Sequence, residues 1–229
     1  MSFVLTSIDR GIATITLNRP KVNAINEPVA QELLARLHDL AADSGVQAVI
    51  LTGQGSFFSF GLDIPEFLGY TKDAFIRFVT TFAELYTYIF EYPKPVIAAL
   101  NGHTVAGGCM IASACDARVM VSGKGRISLN EINFGSSLFP GSAVMLQYCV
   151  GTRNAEIVAF TGAMFSPEEA QKLGLVDQVV TEEDLYPTVN ALAQQCAKRH
   201  APAYQSIKML LRKDTAEEMK RKDNLYRDE

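Results

Sequence analysis

The chain has 229 residues, with 21 Lys+Arg against 25 Asp+Glu for a net charge of -4, 48% hydrophobic residues and 20% charged ones. That is the balance of a globular protein, and a chain this long buries roughly 70–75% of its unfolded surface without needing disulfides or a metal staple. The slight acidity excludes a general nucleic-acid binder, and no apolar run reaches the roughly 18 residues that a membrane span needs.

In chain order, Phe3 to Ile8 and Ile12 to Leu17 alternate apolar with polar around Asp9-Arg10-Gly11, which predicts a hairpin. Glu27 to Ala42 carries Val29, Leu33, Leu34, Leu37 and Leu40 at helical spacing. Val46 to Leu51 predicts a buried strand, Lys72 to Phe90 an aromatic-rich amphipathic helix closed by Pro93, and Pro95 to Leu100 and Ala117 to Val121 two more strands. Between the last two, the small apolar run Gly107 to Ala114 predicts a buried helix beginning at the Gly-Gly step. Ser142 to Val150 and Asn154 to Phe160 follow as helices, and Ser166-Pro167-Glu168-Glu169 carries the N-cap signature of another. Val176 to Val180 is a short strand, Glu182 to His200 and Pro202 to Leu211 are helices, and Thr215 onward is a charged, exposed helical tail. The order is α/β, with β-β-α units first and helices last, and lacks the regular alternation of a doubly wound sheet.

Four cysteines (Cys109, Cys115, Cys149, Cys196) sit in apolar surroundings with no zinc-ligand spacing, so buried free thiols in a reducing compartment are expected. The start of the chain lacks the basic, apolar character of a signal peptide and its end is no peroxisomal address, so the cytoplasm is expected.

Two glycine-containing turns each follow an apolar strand: Phe57-Phe58-Ser59-Phe60-Gly61-Leu62-Asp63 and Asn101-Gly102-His103-Thr104-Val105-Ala106-Gly107-Gly108-Cys109-Met110. Gly61 lets the backbone pass close to another group, and Asp63 stabilises the turn and a short helix after it. Gly107 and Gly108 leave peptide N–H groups accessible where a helix start adds partial positive charge. Two such N–H groups aimed at one carbonyl make an oxyanion hole, worth roughly 3–4 kcal/mol per donor; the plainer reading is a pair of tight turns. Downstream, Ser128-Leu129-Asn130-Glu131 supplies a carboxylate. Apolar neighbours (Met110, Ile132, Phe134, Leu138, Phe139) predict a Glu131 pKa raised by desolvation, which suits a base that must return its proton. His103 reads as a structural turn residue and Asp116 as a tether. Gly53-Gln54-Gly55 lacks the rest of a dinucleotide fingerprint, and no nucleophile elbow is present.

Four stretches together resemble the crotonase (enoyl-CoA hydratase/isomerase) family: Asn18-Arg19-Pro20-Lys21-Val22-Asn23-Ala24, Phe58-Ser59-Phe60-Gly61-Leu62-Asp63-Ile64, Asn101-Gly102 through Ala106-Gly107-Gly108-Cys109, and Gly174-Leu175-Val176-Asp177. The resemblance runs from Asn18 to about Lys213. It implies a crotonase-like spiral of ββα units over residues 1–200, followed by a helical C-terminal trimerisation region over 201–229, shorter than usual for the family. It also implies a homotrimer or dimer of trimers and an acyl-CoA thioester substrate. Coenzyme A is then part of the substrate, with no separate cofactor, metal, nucleic acid or membrane partner.

Carried over by position, the hole's donors are the N–H groups of Ser59 and Gly107, or Phe60 and Gly108 after a one-residue slip. Lys21, Val22 and Ala24, with Phe58, Gly61, Leu62, Asp63 and Ile64, would hold the coenzyme A part. Gly108 and Met110 would line the reacting centre, and Phe134 and Phe139 the acyl pocket. Lys208 matches a position that can meet a CoA phosphate, the alternative being a lysine on a solvated face. Hydratases of the family place one glutamate at the position of Met110 and a second at that of Glu131. With a single acid, the residues are most similar to the 3,2-trans-enoyl-CoA isomerases, in which one base shuttles a proton from C2 to C4 of a 3-enoyl thioester. The alternatives are another CoA-enolate reaction (hydration, C–C bond formation, decarboxylation or thioester hydrolysis) or a non-catalytic acyl-CoA-binding subunit.

Overall fold

The computed structural model describes residues 2–228, with side chains as far as residue 225. β1 (Val4–Asp9) and β2 (Ile12–Leu17) form the expected antiparallel hairpin. Its turn places Arg10 at φ 46 and Gly11 at φ 79, the left-handed pair that matches the twist of the two strands. After α1 (Glu27–Ala42), β3 (Ala48–Gly53) is followed by β4 (Phe57–Ser59), α2 (Ile64–Phe67) and α3 (Lys72–Glu91). The pattern repeats as β5 (Val96–Leu100), β6 (His103–Val105) and α4 (Gly107–Ala114), and again as β7 (Ala117–Val121), β8 (Ile127–Ser128), a 3-10 turn (Glu131–Phe134) and α5 (Pro140–Val150). Then come α6 (Thr152–Thr161), α7 (Pro167–Leu173), β9 (Gln178–Val180), α8 (Glu182–Ala197) and α9 (Ala201–Asp228).

Each repeat sends one strand to a six-stranded sheet, ordered β1-β2-β3-β5-β7-β9, and the next to a three-stranded sheet, ordered β4-β6-β8. Apart from the hairpin, all pairings in both sheets are parallel. This is the spiral of ββα units that the resemblance implies. The three strands of the small sheet, read from sequence only as turns or not at all, are two or three residues long and too short to show a period.

Both faces of the large sheet are covered, which is why β3 is apolar from Ala48 to Leu51 with no alternation. One face packs Ile12, Ile50, Ile97 and Val119 against Leu185, Val189 and Ala193 of α8. The other face meets the larger core of α1, α3, α4 and α5. Among the described residues no helix is long and apolar enough to cross a membrane.

The C-terminal segment differs from the exposed tail expected after Thr215. It is one continuous helix from Ala201, and Ala216 and Met219 are fully buried. Three polar anchors hold α9 to the core. Asp223 accepts hydrogen bonds from Tyr86 Oη and from Gly141 N (2.7 Å), capping the start of α5. Arg212 lies 4.5 Å over the Phe90 ring and donates to Phe90 O at 2.9 Å. Lys208 and Arg212 both pair with Asp116, at 2.9 and 3.0 Å, and Asp116 also accepts from Val96 N at 2.8 Å.

Lys208 is therefore neither on a solvated face nor free to meet a phosphate, because it is 7% exposed and committed to Asp116. Its burial pulls its pKa down, and the Asp116 carboxylate opposes that shift. Replacing Asp116 with Ala strands two buried cations, so chemical denaturation should show a loss of about 3–5 kcal/mol.

Candidate active site

Turn one can be followed amide by amide. Ser59 is fully buried in β4, in register with Thr104 of β6, so its backbone belongs to the sheet. Its hydroxyl donates to Asn23 O (2.7 Å) and accepts from Gly61 N (3.1 Å). Phe60 N donates to Val22 O at 3.0 Å, and Asp63 N to Ile25 O at 2.9 Å. Ile25 N donates to Gly61 O at 2.8 Å, so Ile25 brackets Leu62 on both sides. Among the described residues, the Leu62 N–H is the amide of this run that no acceptor takes up. Of the expected donors, Ser59 lies within the sheet and the Phe60 N–H is taken by Val22 O, whereas the Leu62 N–H, three residues after Ser59, is left without an acceptor.

Turn two supplies the second amide. Ala106 precedes α4 at φ 48 and ψ -119, a conformation unusual for a residue with a side chain, and makes no side-chain cap. Its own N–H is fixed by Ser128 O at 2.8 Å. The N–H groups of Gly107 and Gly108, in the first turn of α4, have no partner within the helix. The two turns abut closely: a Cβ on Gly61 would come within 3.0 Å of Gly107 N, one on Gly107 within 2.9 Å of Leu62 Cδ2, and one on Gly108 within 2.5 Å of Ser59 O. None of the three positions has room for a side chain.

Glu131 opens the 3-10 turn and is only 7% exposed. One of its carboxylate oxygens, Oε2, is buried with no hydrogen-bond partner, and burial pushes its pKa up to about 7. The bond from Ala106 N to Ser128 O ties its strand to turn two. Glu131 is close enough to Cys109, in the first turn of α4, to help burial raise that thiol to about 12. Two more buried polar atoms, Ser128 Oγ and Asn130 Oδ1, lack partners in the same short stretch. Neither residue was singled out from sequence, and only the structure reveals that their polar atoms are left over. A cavity of about 560 Å³ opens on Glu131, walled by Leu129, Leu138, Ala143, Leu146 and Ala159, with Glu156 also on its lining.

Amides without an acceptor in the two turns, and a buried carboxylate on the segment tied to turn two, are the kinds of group that hold a carbonyl oxygen and move a proton beside it. The profile described as "Enoyl-CoA hydratase/isomerase" matches residues 7–228. The chain belongs to the enoyl-CoA hydratase/isomerase family. It is 33% identical to a putative enoyl-CoA hydratase of Thermus thermophilus, over 90% of this chain and 83% of that protein. It is 31% identical to the mitochondrial enoyl-CoA delta isomerase 1 of Mus musculus, over 91% of this chain and 73% of that protein. The crystal structure of human mitochondrial delta3-delta2-enoyl-CoA isomerase superposes with a TM-score of 0.90 at 30% identity, covering 98% of this chain and 92% of that one.

The other residues that the family resemblance pointed to divide into two groups. Lys21, Val22 and Ala24 lie in a loop locked to turn one by Asn23, whose Nδ2 donates to Phe57 O (2.8 Å) and Gln54 O (3.0 Å). Lys21 and Ile64 are exposed, and Ala24, Leu62 and Asp63 half-buried, so this loop pair offers an accessible edge. Phe58 and Met110, in contrast, are core residues, 0% and 1% exposed. Neither acyl-pocket candidate, Phe134 or Phe139, is on the lining of the cavity that opens on Glu131. Phe134 is 52% exposed, and half-buried Phe139 packs edge-on against Phe82 and Tyr86 at the margin of the core. Among the described residues no cluster of His, Cys, Asp and Glu could hold a metal ion.

The Glu131 shift has a thermodynamic sign. Its folded pKa of about 7 lies above the ordinary 4.5, so the folded state holds the proton more tightly. Stability that is present below pH 4.5 is lost as pH rises through 7. Glu131→Gln, which stays neutral, should therefore be more stable than the parent by roughly 2–3 kcal/mol at pH 8 and about equal at pH 4.5, read from urea midpoints at the two pH values.

Proposed function

We propose that this chain is a 3,2-enoyl-CoA isomerase in which Glu131 is the single proton-shuttling base and the N–H groups of Leu62 and Gly107 form the oxyanion hole. The observation that carries this reading is the buried Glu131 carboxylate, with Oε2 unpartnered and its pKa raised to about 7, together with an apolar Met110 where hydratases of the family carry their other glutamate. A base with this pKa can take a proton at neutral pH and give it back.

In this scheme the thioester oxygen of a 3-enoyl-CoA sits between the two amides. Glu131 removes a proton from C2, the electrons spread over a dienolate, and negative charge collects on the oxygen facing the hole. The same carboxyl, now protonated, delivers the proton to C4, leaving the double bond between C2 and C3. The substrate supplies coenzyme A itself, and the accessible edge formed by Lys21, Ala24, Leu62 and Ile64 is where its pantetheine would lie. The free thiols suit a reducing, cytoplasmic setting. A homotrimer or dimer of trimers would cover Ile207, Leu210 and Leu211, which α9 leaves exposed.

A second reading rests on Glu156, the other carboxylate on the cavity that opens on Glu131. Two acids on one cavity could hydrate a 2-enoyl-CoA, one activating water and the other protonating the α-carbon. For the isomerase, Glu131→Gln should lower kcat on 3-hexenoyl-CoA by at least about 10³-fold while acyl-CoA binding, carried by backbone, persists. Glu156→Gln should leave isomerisation within about twofold, whereas loss of a 3-hydroxyacyl product from 2-hexenoyl-CoA, followed by mass spectrometry, would favour hydration. For the parent, kcat/KM should rise with pH through about 7, because the base acts in its ionised form.

A further inference from the structure

One guanidinium joins the two loops that bracket Leu62. Arg19 Nη1 donates to Ala24 O at 3.1 Å, the carbonyl immediately before Ile25. Its Nη2 donates to Asp63 Oδ2 at 2.6 Å, one residue after Leu62, and to Glu66 Oε2 at 3.1 Å. Asp63 uses its other oxygen to cap α2 through Glu66 N at 3.1 Å. Glu66 is held in turn by Asn26 Nδ2 (2.8 Å) and Tyr70 Oη (2.8 Å), and Asn26 caps α1. The Arg19 backbone N–H is fixed as well, by Asn23 Oδ1 at 3.1 Å. With its side chain 18% exposed, the Arg19 fork spans the Ala24–Ile25 segment and the Asp63–Glu66 segment, and Leu62 lies between them.

We propose that Arg19 is the positioning residue of the oxyanion hole, aiming the Leu62 amide and neutralising the two carboxylates beside it. The proposal rests on the reading of Leu62 as an oxyanion donor. Its first part is geometric. The Leu62 N–H direction is set by the Ile25 bridge on one side and the α2 cap on the other, and the fork holds both at once. Its second part is electrostatic. Asp63 and Glu66 place two negative charges within four residues of an amide that must attract a third, and Arg19 is the cation in contact with both. A lysine carries the charge but lacks the planar fork that reaches a carbonyl and two carboxylates together.

The test uses the full chain and two readouts. The first is kcat and KM on 3-hexenoyl-CoA. The second is the absorption of bound 4-dimethylaminocinnamoyl-CoA, which moves to longer wavelength when its thioester carbonyl is polarised. Arg19→Met should lower kcat about 30–100-fold with KM within about threefold, since a small misplacement of a preorganised donor is felt in the transition state. It should also lose most of the red shift seen with the parent, and Arg19→Lys should restore neither. Arg77→Met, which removes the surface pair with Glu27 at 2.6 Å, should change neither readout. If Arg19→Met does not fold, Asp63→Asn, which breaks the ion pair but keeps an oxygen for the α2 cap, should move both readouts the same way by a smaller factor. Wild-type kcat and red shift in the folded Arg19 and Asp63 variants would overturn the proposal. Absence of a red shift in the parent would instead overturn the hole itself, so the two failures are separable.

Discussion

The site depends on the contact between two turns that leave no room for side chains. Gly61, Gly107 and Gly108 lie where a single methyl would strike a backbone atom or a packed side chain of the opposite turn. That contact joins the turn carrying the Leu62 amide, left without an acceptor beside the Ile25 bridge, to the turn carrying the Gly107 amide at the start of a helix. In the proposed oxyanion hole such donors would need no rearrangement when charge develops, and each would contribute roughly 3–4 kcal/mol. The cost of the arrangement is visible in Ala106, held at φ 48 because turn two must change direction before α4 begins.

Burial acts on the acid and on the hole in compatible ways. Removing Glu131 from water raises its pKa to about 7 and leaves Oε2 unpaired, which makes it a stronger base than an ordinary carboxylate and a poor contributor to stability. The same low polarity strengthens the attraction between backbone dipoles and a developing oxyanion. A site of this sort is stabilised by its surroundings, and α9 is part of them. Through Asp223 it fixes the first turn of α5, and Pro140 and Ala143 of that turn wall the cavity beside Glu131. The C-terminal helix is thus linked to the wall of that cavity through the first turn of α5.

The legible parts of the chain were those whose signal is local and repeated. The β1–β2 hairpin, α1 and α3 could be read because alternation or helical spacing persists over six residues or more. The short strands β4, β6 and β8 could not, although they are what carries the two turns into contact. Glu131 and its raised pKa followed from the apolar residues around it in sequence, but the choice of Ser59 as donor missed Leu62. Which amide stays free depends on Val22 and Ile25, bonded across 36 to 38 residues of chain, and such bookkeeping leaves no trace in residue type. Lys208 misled for a related reason: a lysine reads as exposed until a buried partner such as Asp116 is known. Phe134 and Phe139 were both plausible walls, and tertiary packing sent one to the surface and the other against the aromatic core.

Met110 and Glu156 frame the remaining question of which proton transfers this site performs. Met110 occupies the first turn of α4 with almost no exposure, next in sequence to the Cys109 that senses Glu131, so an ionised group there would have to be desolvated. Two carboxylates brought that close oppose each other's ionisation, and one would be held protonated. With Met110 in place, Glu131 has no such neighbour in α4, and its shift arises from burial alone apart from an opposing backbone hydrogen bond. Glu156 lies on the same cavity but on α6, partly exposed and paired with Arg153 at 3.1 Å. Burial lifts Glu131 to about 7, the range in which a base can both accept and release a proton near neutral pH, and the proposed single-base shift of a double bond rests on that residue.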